Sequence, residues 1–388
     1  MRELNRFKEL RKKFHQLAEP SGLEKGTASL ICDELEKYNP YKIHTFHDSY
    51  SVLAEWRFSD DLRTILIRGD IDAVKVKETL SLPYASFRED VSHKCGHDGH
   101  IVILLEVARK LSEMYLPFGR VLLFFQAEEE SGQGARKLLH QPLLAHYDIV
   151  RIFGFHNIPG FPTNSIICRE ESFTCSVISC DITIEGKSAH AAEPENGISP
   201  IPAAFQLLES VAHFNQPDLE QENYCLVTPI EVHLGEKAYG VAAGNGVIRL
   251  TLRTNNEKQL NFIKQSIEQL ISHIESQTSG LRMSIDWLEH FVSVRNNPSA
   301  VAEITSASKE LGVQYMIKQT PFTWGEDFGF FTQKYSGAMF GIGAGETQPS
   351  LHNSNYDFPD EIGPVTVELL CRLIQNFFSE SLLSDKKL

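Results

Sequence analysis

Short apolar runs alternate along the chain with segments whose apolar residues recur at helical spacing. Four runs have the length and composition of buried parallel strands, at positions 64–67, 121–125, 152–155 and 338–342. The segment 101–114 has the period of a helix. This alternation predicts an open α/β fold, with a mixed, mostly parallel sheet flanked by helices.

Polar residues follow each of the four runs. In open α/β sheets, ligands bind beyond the carboxyl ends of the strands, so we expect these side chains to converge on one crevice. They are Asp70 and Asp72 after the first run, Glu128, Glu129 and Glu130 after the second, His156 after the third and His352 after the fourth.

A dense group of imidazoles and one thiol precedes the predicted helix. His93, Cys95, His97 and His100 fall within eight residues. Thiolate and imidazole are ligands of divalent transition metals, so the group predicts a metalloenzyme. A mononuclear structural zinc site is the alternative. Structural zinc sites normally have four protein ligands, all Cys or His, and no open coordination position. Carboxylates at other strand ends suit an open catalytic site better.

The pattern changes between residues 175 and 290. The new pattern predicts two helices and a small antiparallel sheet, which together form an α+β module. We therefore expect residues 1–174 and 291–388 to form one discontinuous catalytic domain, interrupted by a smaller inserted domain at 175–290. The expected strands of this module lie at 177–184, 227–234 and 247–253, and its helices lie at 200–213 and 256–277.

Charge and composition exclude several classes of partner. The net charge of -14 argues against nucleic acid and against an anionic membrane surface, since both would repel the chain. No apolar run reaches the roughly 20 residues that span a bilayer. The N-terminal segment lacks the uninterrupted apolar stretch of a signal peptide, so we expect a cytoplasmic protein. Seven irregularly spaced cysteines argue against a disulfide framework.

The chain resembles the metal-dependent amidohydrolases of the aminoacylase and carboxypeptidase superfamily. Within it, the chain is most similar to the subgroup of hippurate hydrolases, N-acyl amino acid deacylases and auxin-conjugate hydrolases. Seven segments carry this resemblance, in the family's order and at its spacing. They are RGDIDA (68–73), HKCGHDGH (93–100), FQAEEE (125–130) with Gly134-Ala135, GFH (154–156), GKSAHAA (186–192), EDF (326–328) and LHN (351–353).

The resemblance implies two divalent metal ions, Zn, Mn or Co, and a general base that activates water. Matching Gln126 and Gly134-Ala135 to the family assigns Glu129 as the base and Glu130 as a ligand. A competing register makes Glu128 the base and Glu129 the ligand. His93 and His100 are assigned hydrogen bonds at the helix start. The implied metal ligands are Cys95, His97, Glu130, His156 and His352.

Three further residues receive roles from the resemblance. Asp72 orients a metal ligand, the alternative being an Asp that caps a turn. His190 of the inserted domain reaches the active site of a partner subunit, which implies a homodimer and a lid function. Its alternative is an exposed turn residue. Arg253 pairs with a substrate carboxylate, and its alternative is a surface strand position.

The implied reaction is hydrolysis of the amide bond of an N-acyl amino acid. A metallo-exopeptidase with dipeptidase or carboxypeptidase action has the same site chemistry and stays open, as does a non-catalytic binding protein of the same fold. One departure concerns substrate choice. Relatives carry Asn-Val-Ile-Pro where this chain has Gly240-Val-Ala-Ala243.

Overall fold

The computed structural model describes residues 2–384, with side chains up to Ser379. The chain divides into two compact units. Unit 1 comprises Met1–Phe173, Val294–Gln319 and Glu326–Leu388, and unit 2 comprises Thr174–Ser293 and Thr320–Gly325. Residues 320–325, which the sequence prediction assigns to the catalytic domain, thus belong to unit 2. None of the described helices is long and apolar enough to cross a membrane.

The three helices predicted at 101–114, 200–213 and 256–277 are present, and the described chain has further helices that were not predicted. They are α1 Arg2–Leu17, α2 Lys25–Leu35, α3 His97–Glu113, α4 Gly134–Leu139, α5 Ile201–Ala212, α6 Glu257–Gln277, α7 Pro298–Glu310, α8 Gly329–Lys334 and α9 Ile362–Ser384.

The strands include every run singled out from the sequence, together with others that the pattern does not reveal. They are β1 Lys42–Thr45, β2 Val52–Arg57, β3 Arg63–Asp70, β4 Arg120–Gln126, β5 Asp148–Ile158, β6 Ile166–Cys168, β7 Glu171–Ser172, β8 Ser176–Glu185, β9 Ala189–His190, β10 Cys225–Leu234, β11 Val241–Ala242, β12 Asn245–Thr254, β13 Arg282–Phe291, β14 Arg295–Asn296, β15 Tyr315–Ile317 and β16 Gly337–Gly343.

Unit 1 is built on an eight-stranded sheet in the order β1-β2-β4-β3-β5-β16-β6-β15. Its four central strands, β4, β3, β5 and β16, run parallel. They are buried along most of their length, which explains why they read as continuous apolar runs and not as alternating ones. The predicted mixed, mostly parallel sheet is confirmed.

Helix α3 packs against β3 and β4 and contacts α1 and α9. Its apolar residues Ile101 to Leu105 are fully buried in the core shared with the sheet. This packing fixes the first turn of α3, which holds His97 and His100, beside the carboxyl end of β3. The packing of α3 therefore holds His97 and His100 in place.

Unit 2 has a four-stranded antiparallel sheet in the order β10-β12-β8-β13. Helices α5 and α6 cover one face of it. Asn256 caps α6 by accepting a hydrogen bond from the Gln259 amide at 2.9 Å, as its position before an apolar helical period predicts. The buried apolar side chains of α6 recur every three or four residues and are Leu260, Ile263, Ile267, Ile271 and Ile274.

Candidate metal centre

The ends of three parallel strands and the start of α3 bring the predicted ligands together in unit 1. Cys95, Glu130 and His352 each offer an atom within 4.8 Å of the others. His352 Nε2 lies 3.1 Å from Glu130 Oε1, although the residues are 222 positions apart. Cys95 Sγ lies 3.5 Å from His156 Nε2. A thiol, a carboxylate and imidazoles at this spacing form a donor set for a borderline divalent metal.

His97 joins this group from the first turn of α3. It offers a ligand atom within 4.8 Å of both Glu129 and Glu130. Its Nδ1 lies 2.9 Å from the carbonyl oxygen of Asp72, which can only accept, so Nδ1 carries the proton. His97 Nε2 is buried and has no hydrogen-bond partner among the described residues. A buried imidazole nitrogen without a protein partner, in a ring oriented by a carbonyl on its other side, is the arrangement of a metal-binding histidine.

Nearby carboxylates raise the pKa values of both His97 and Cys95. Burial lowers the pKa of His97, but Asp70, Asp72 and Glu130 outweigh it and raise that pKa to about 10. Burial and the nearby Glu130 raise the pKa of the Cys95 thiol well above its ordinary value. A divalent ion would reverse both effects, because it favours the thiolate and the neutral imidazole.

His100 belongs to the same region, contrary to the expectation from sequence. Its Nδ1 lies 2.5 Å from Asp70 Oδ1, so it bonds a strand-end carboxylate and not the helix start. Ligand atoms of Asp70, His97, His100 and His156 lie within 4.8 Å of one another. The spacing of His97 and His100, three residues apart on one helix face, is the sequence signal that could have grouped them.

The corresponding expectation for His93 is also wrong. Both of its ring nitrogens are buried without a hydrogen-bond partner in the described part of the chain. Burial lowers the pKa of His93 to about 3, so the ring is neutral. His93 therefore contributes an uncharged ring packed beside His15, at 6.1 Å between centroids.

The three consecutive glutamates face different partners. Glu128 has a positive φ of 59°, and its carboxylate pairs with Lys137 at 2.5 Å. Glu129 is buried, and burial, Glu326 and Glu130 raise its pKa well above its ordinary value. Glu130 also loses solvation on burial, but His352 more than offsets this and lowers its pKa. Adjacent carboxylates with opposite pKa directions are a common arrangement for an acid–base group beside a ligand.

Asp72 connects two of the predicted ligands. Its Oδ2 accepts hydrogen bonds from the Glu130 amide at 3.0 Å and from the Ser21 hydroxyl at 2.6 Å. Its Oδ1 lies 3.3 Å from His97 Nδ1. These contacts reach a neighbouring strand end and a helix, whereas a residue that only caps its own turn would bond the next few amides.

A buried arginine to which the sequence assigns no role contacts three carboxylates. Arg68 is fully buried and contacts Asp70 at 2.7 Å, Glu326 at 2.9 Å and Asp327 at 3.0 Å. Burial raises the pKa of Asp327 to about 7, with Arg68 opposing and Glu326 reinforcing the effect. One guanidinium thus contacts three buried carboxylates and partly offsets their mutual repulsion.

His190 and Arg253 lie in unit 2. His190 is exposed on β9, where it pairs with Val241 of β11. Its Nδ1 accepts a hydrogen bond from the Ala192 amide at 3.0 Å, so the proton of the neutral ring is on Nε2. Arg253 donates from Nη1 to the carbonyl of Thr323 at 2.7 Å, which fixes one arm of the guanidinium.

Comparison with known proteins agrees with this geometry. The chain is 28% identical over 362 residues to an N-acetyldiaminopimelate deacetylase of Exiguobacterium sibiricum, covering 93% of this chain and 96% of the relative. It is 26% identical over 358 residues to a hippurate hydrolase of Campylobacter jejuni, covering 92% of each.

A solved structure matches over nearly the whole chain. It is the Bacillus subtilis YXEP protein, described as a dinuclear metal binding peptidase of the M20 family. The TM-score is 0.81 at 26% identity, with 97% of this chain and 98% of that chain covered. The model of Peptidase family M20/M25/M40 matches residues 66–376. The resemblance stated from the sequence is thus confirmed: the chain belongs to Peptidase family M20/M25/M40 and is a hydrolase that acts on amide bonds.

Proposed function

We propose that this protein hydrolyses the amide bond of N-acyl amino acids and uses two divalent metal ions, Zn, Mn or Co. The supporting observation is the convergence of a thiol, carboxylates and imidazoles from separate strand ends on one place in unit 1. The residues that would hold the ions are Cys95, His97, Glu130, His156 and His352. When bound, such ions polarise a carbonyl group and lower the pKa of water.

Glu129 is the proposed general base, which takes the proton of the attacking water and passes it to the leaving nitrogen. It is buried next to the ligand Glu130, and its pKa is raised, which suits a group that must hold a proton transiently. The ion pair of Glu128 with Lys137 supports this register over the one with Glu128 as base. Asp72 is proposed to position His97 and Glu130 through its two oxygens.

The substrate class rests on relatives. The matched deacetylase and hippurate hydrolase both carry names that denote an N-acyl amino acid. His190 is proposed to donate its Nε2 proton to the substrate carbonyl as charge develops there. Arg253 is proposed to bind the substrate carboxylate with the donors that Thr323 does not use.

Exopeptidase action is the second candidate, because the matched solved structure is described as a peptidase. A panel of N-acetyl and N-benzoyl amino acids and of dipeptides, each assayed with Zn, Mn and Co added back to metal-depleted protein, separates the two. Faster turnover of the acylated amino acids supports the proposal. Turnover of dipeptides alone would replace it with the exopeptidase, and no turnover of either class with any metal would mean that both proposed substrate classes are wrong.

A homodimer through unit 2 is proposed as well. Strand β10 lies at an edge of its sheet and exposes Ile230 and Val232, which are 61% and 44% exposed. An open apolar edge strand is a template for pairing with another chain. Unit 2 would then serve as a lid and a dimerisation domain. The cytoplasmic location expected from the sequence stays a prediction.

A further inference from the structure

Arg11 of helix α1 is a buried cation that joins separate segments of unit 1. The residue is 1% exposed. Its guanidinium donates to Asp98 at 2.9 Å, to Asp357 at 3.0 Å and to Asp360 at 2.6 Å. Such a planar fork fixes its partners in direction as well as in distance. One side chain of the N-terminal helix thus connects the start of α3 with the segment that leads into α9.

Both of these segments carry proposed metal ligands. Asp98 directly follows His97 in the first turn of α3. Asp357 and Asp360 lie in the stretch between His352 and Ile362, where α9 begins. Arg11 contacts these neighbours and not the ligands themselves. Its effect on the ligands is therefore indirect, through the position of the residues beside them.

A second branch of the same network begins at His15, one helical turn after Arg11. His15 Nδ1 lies 2.8 Å from Asp98, and its Nε2 lies 3.1 Å from Glu78. Glu78 forms an ion pair with the fully buried Lys94. The Lys94 ammonium also donates to the carbonyl of Tyr356 at 2.8 Å.

This branch also ends at proposed ligands. Lys94 directly precedes Cys95, and its carbonyl accepts a hydrogen bond from the amide of His352 at 2.8 Å. The Asn157 amide group, next to His156, donates to the Cys95 carbonyl at 3.1 Å and to the Tyr356 hydroxyl at 2.6 Å. Four of the five proposed ligands therefore adjoin one buried network whose cations come from α1 and from Lys94.

We propose that Arg11 is a positioning residue of the metal centre, so that α1 sets the geometry in which Cys95, His97 and His352 meet the ions. The inference rests on the proposed metal binding. A purely structural role would make the loss of Arg11 lower the stability of the metal-free protein without a separate loss of metal affinity.

The test compares Arg11→Met and Arg11→Lys with Lys13→Met, an exposed position on the same helix. Metal-depleted full-length protein is titrated with Co²⁺, and the sulfur-to-cobalt charge-transfer band reports the Cys95 contact. We expect Arg11→Met to weaken Co²⁺ binding by up to roughly 10-fold and to alter the band, at or below the lower end of the 10–100-fold effect of losing a direct partner of a ligand. Arg11→Lys should recover part of the affinity, since it keeps the charge but not the fork. Lys13→Met should match the parent.

A folded Arg11→Met protein with the Co²⁺ affinity and band of the parent overturns the proposal. If Arg11→Met does not fold, Asp360→Asn removes one charged partner and leaves Arg11 in place. A loss of Co²⁺ affinity in folded Asp360→Asn supports the proposal, and parental affinity overturns it. A parent protein that binds no Co²⁺ overturns the proposed metal centre itself, so that the two failures are distinguished.

Discussion

The carboxylate of Glu128 forms an ion pair with Lys137, whereas the next carboxylate along the chain, Glu129, lies with His97 and Glu130. The positive φ of Glu128 turns the backbone at the point where β4 has ended. Its amide donates to Glu24 at 2.9 Å, which anchors this turn to the residue that precedes α2. The three consecutive glutamates therefore have different environments, which their identical side chains do not reveal in the sequence.

Glu129→Gln should keep the fold and metal binding but lose turnover. The amide has the size of the carboxyl group but cannot accept the proton of water, which is worth about 10²–10⁴-fold in kcat. Steady-state kinetics on an N-acyl amino acid, with metal content determined on the same sample, is the measurement. Glu128→Gln is the matched control and should retain most of the activity. The competing register would gain if the Glu128 variant were the inactive one.

Metal should stabilise the protein through Cys95. A ligand at 100 times its Kd adds about 2.7 kcal/mol to the free energy of unfolding, so the Tm of metal-depleted protein should rise when Zn, Mn or Co is added. Cys95→Ser should show a smaller rise, because a hydroxyl is a poorer ligand than a thiolate for these ions. Cys371→Ser, at a buried position on α9, should keep the parental rise. Equal increments in all three proteins would remove Cys95 from the ligand set.

The buried carboxyl of Glu24 should make stability fall as pH rises. Burial and the nearby Asp72 raise its pKa to about 8 from an ordinary value of 4.5. The folded state then holds a proton that the unfolded state releases, so this contribution is complete below pH 4.5 and is lost as pH rises to about 8. One pKa unit corresponds to about 1.4 kcal/mol, and we expect a loss of about 2–4 kcal/mol.

Glu24→Gln is the matched variant for this pH dependence. Its amide oxygen can still accept the Glu128 amide proton, but the side chain does not ionise. Urea denaturation of metal-depleted protein at pH 5 and pH 8 should therefore show a smaller decrease for the variant than for the parent. The same decrease in both proteins would mean that other groups cause it.

Gly240→Asn should alter substrate preference without destabilising the protein. Gly240 has no positive φ, and a Cβ there would meet nothing within 4 Å, so the backbone does not require glycine. Its carbonyl accepts the amide proton of Ala191, next to His190, at 3.0 Å. An amide at this position would therefore stand beside the proposed substrate contact. The ratio of kcat/KM values for N-acetyl and N-benzoyl substrates should change while the Tm stays parental, with Gly240→Ala as the size control. An unchanged ratio would place Gly240 away from the substrate.

A charge on strand β10 should dissociate the proposed dimer. Ile230→Lys places an ammonium on the open edge, a common feature of edge strands that do not pair. Light scattering after size-exclusion chromatography should give a dimer mass for the parent and a monomer mass for the variant. Leu288→Lys, 45% exposed on the opposite edge strand β13, is the control and should remain dimeric. A monomeric parent would contradict the proposed dimer.

The sequence predicts the central sheet well because its strands are buried on both faces and read as continuous apolar runs. Strands β6 and β15, at one end of the sheet, have three residues each, too few to produce a pattern. The histidines of 93–100 illustrate the same limit at the site. Their number indicates a metal, but the sequence assigns His100 a helix-start bond, whereas it contacts Asp70 on a neighbouring strand.

The sequence by itself determined the fold class and the family and predicted the types of ligand, because these depend on local periodicity and on motifs of adjacent residues. Only the tertiary structure decided which glutamate faces Lys137, how Asp72 joins His97 to Glu130, and that Arg11 lies behind the ligands. Those relationships join positions far apart in the chain, and burial makes each charge depend on its partner. A local sequence pattern does not identify the partner of a buried charge.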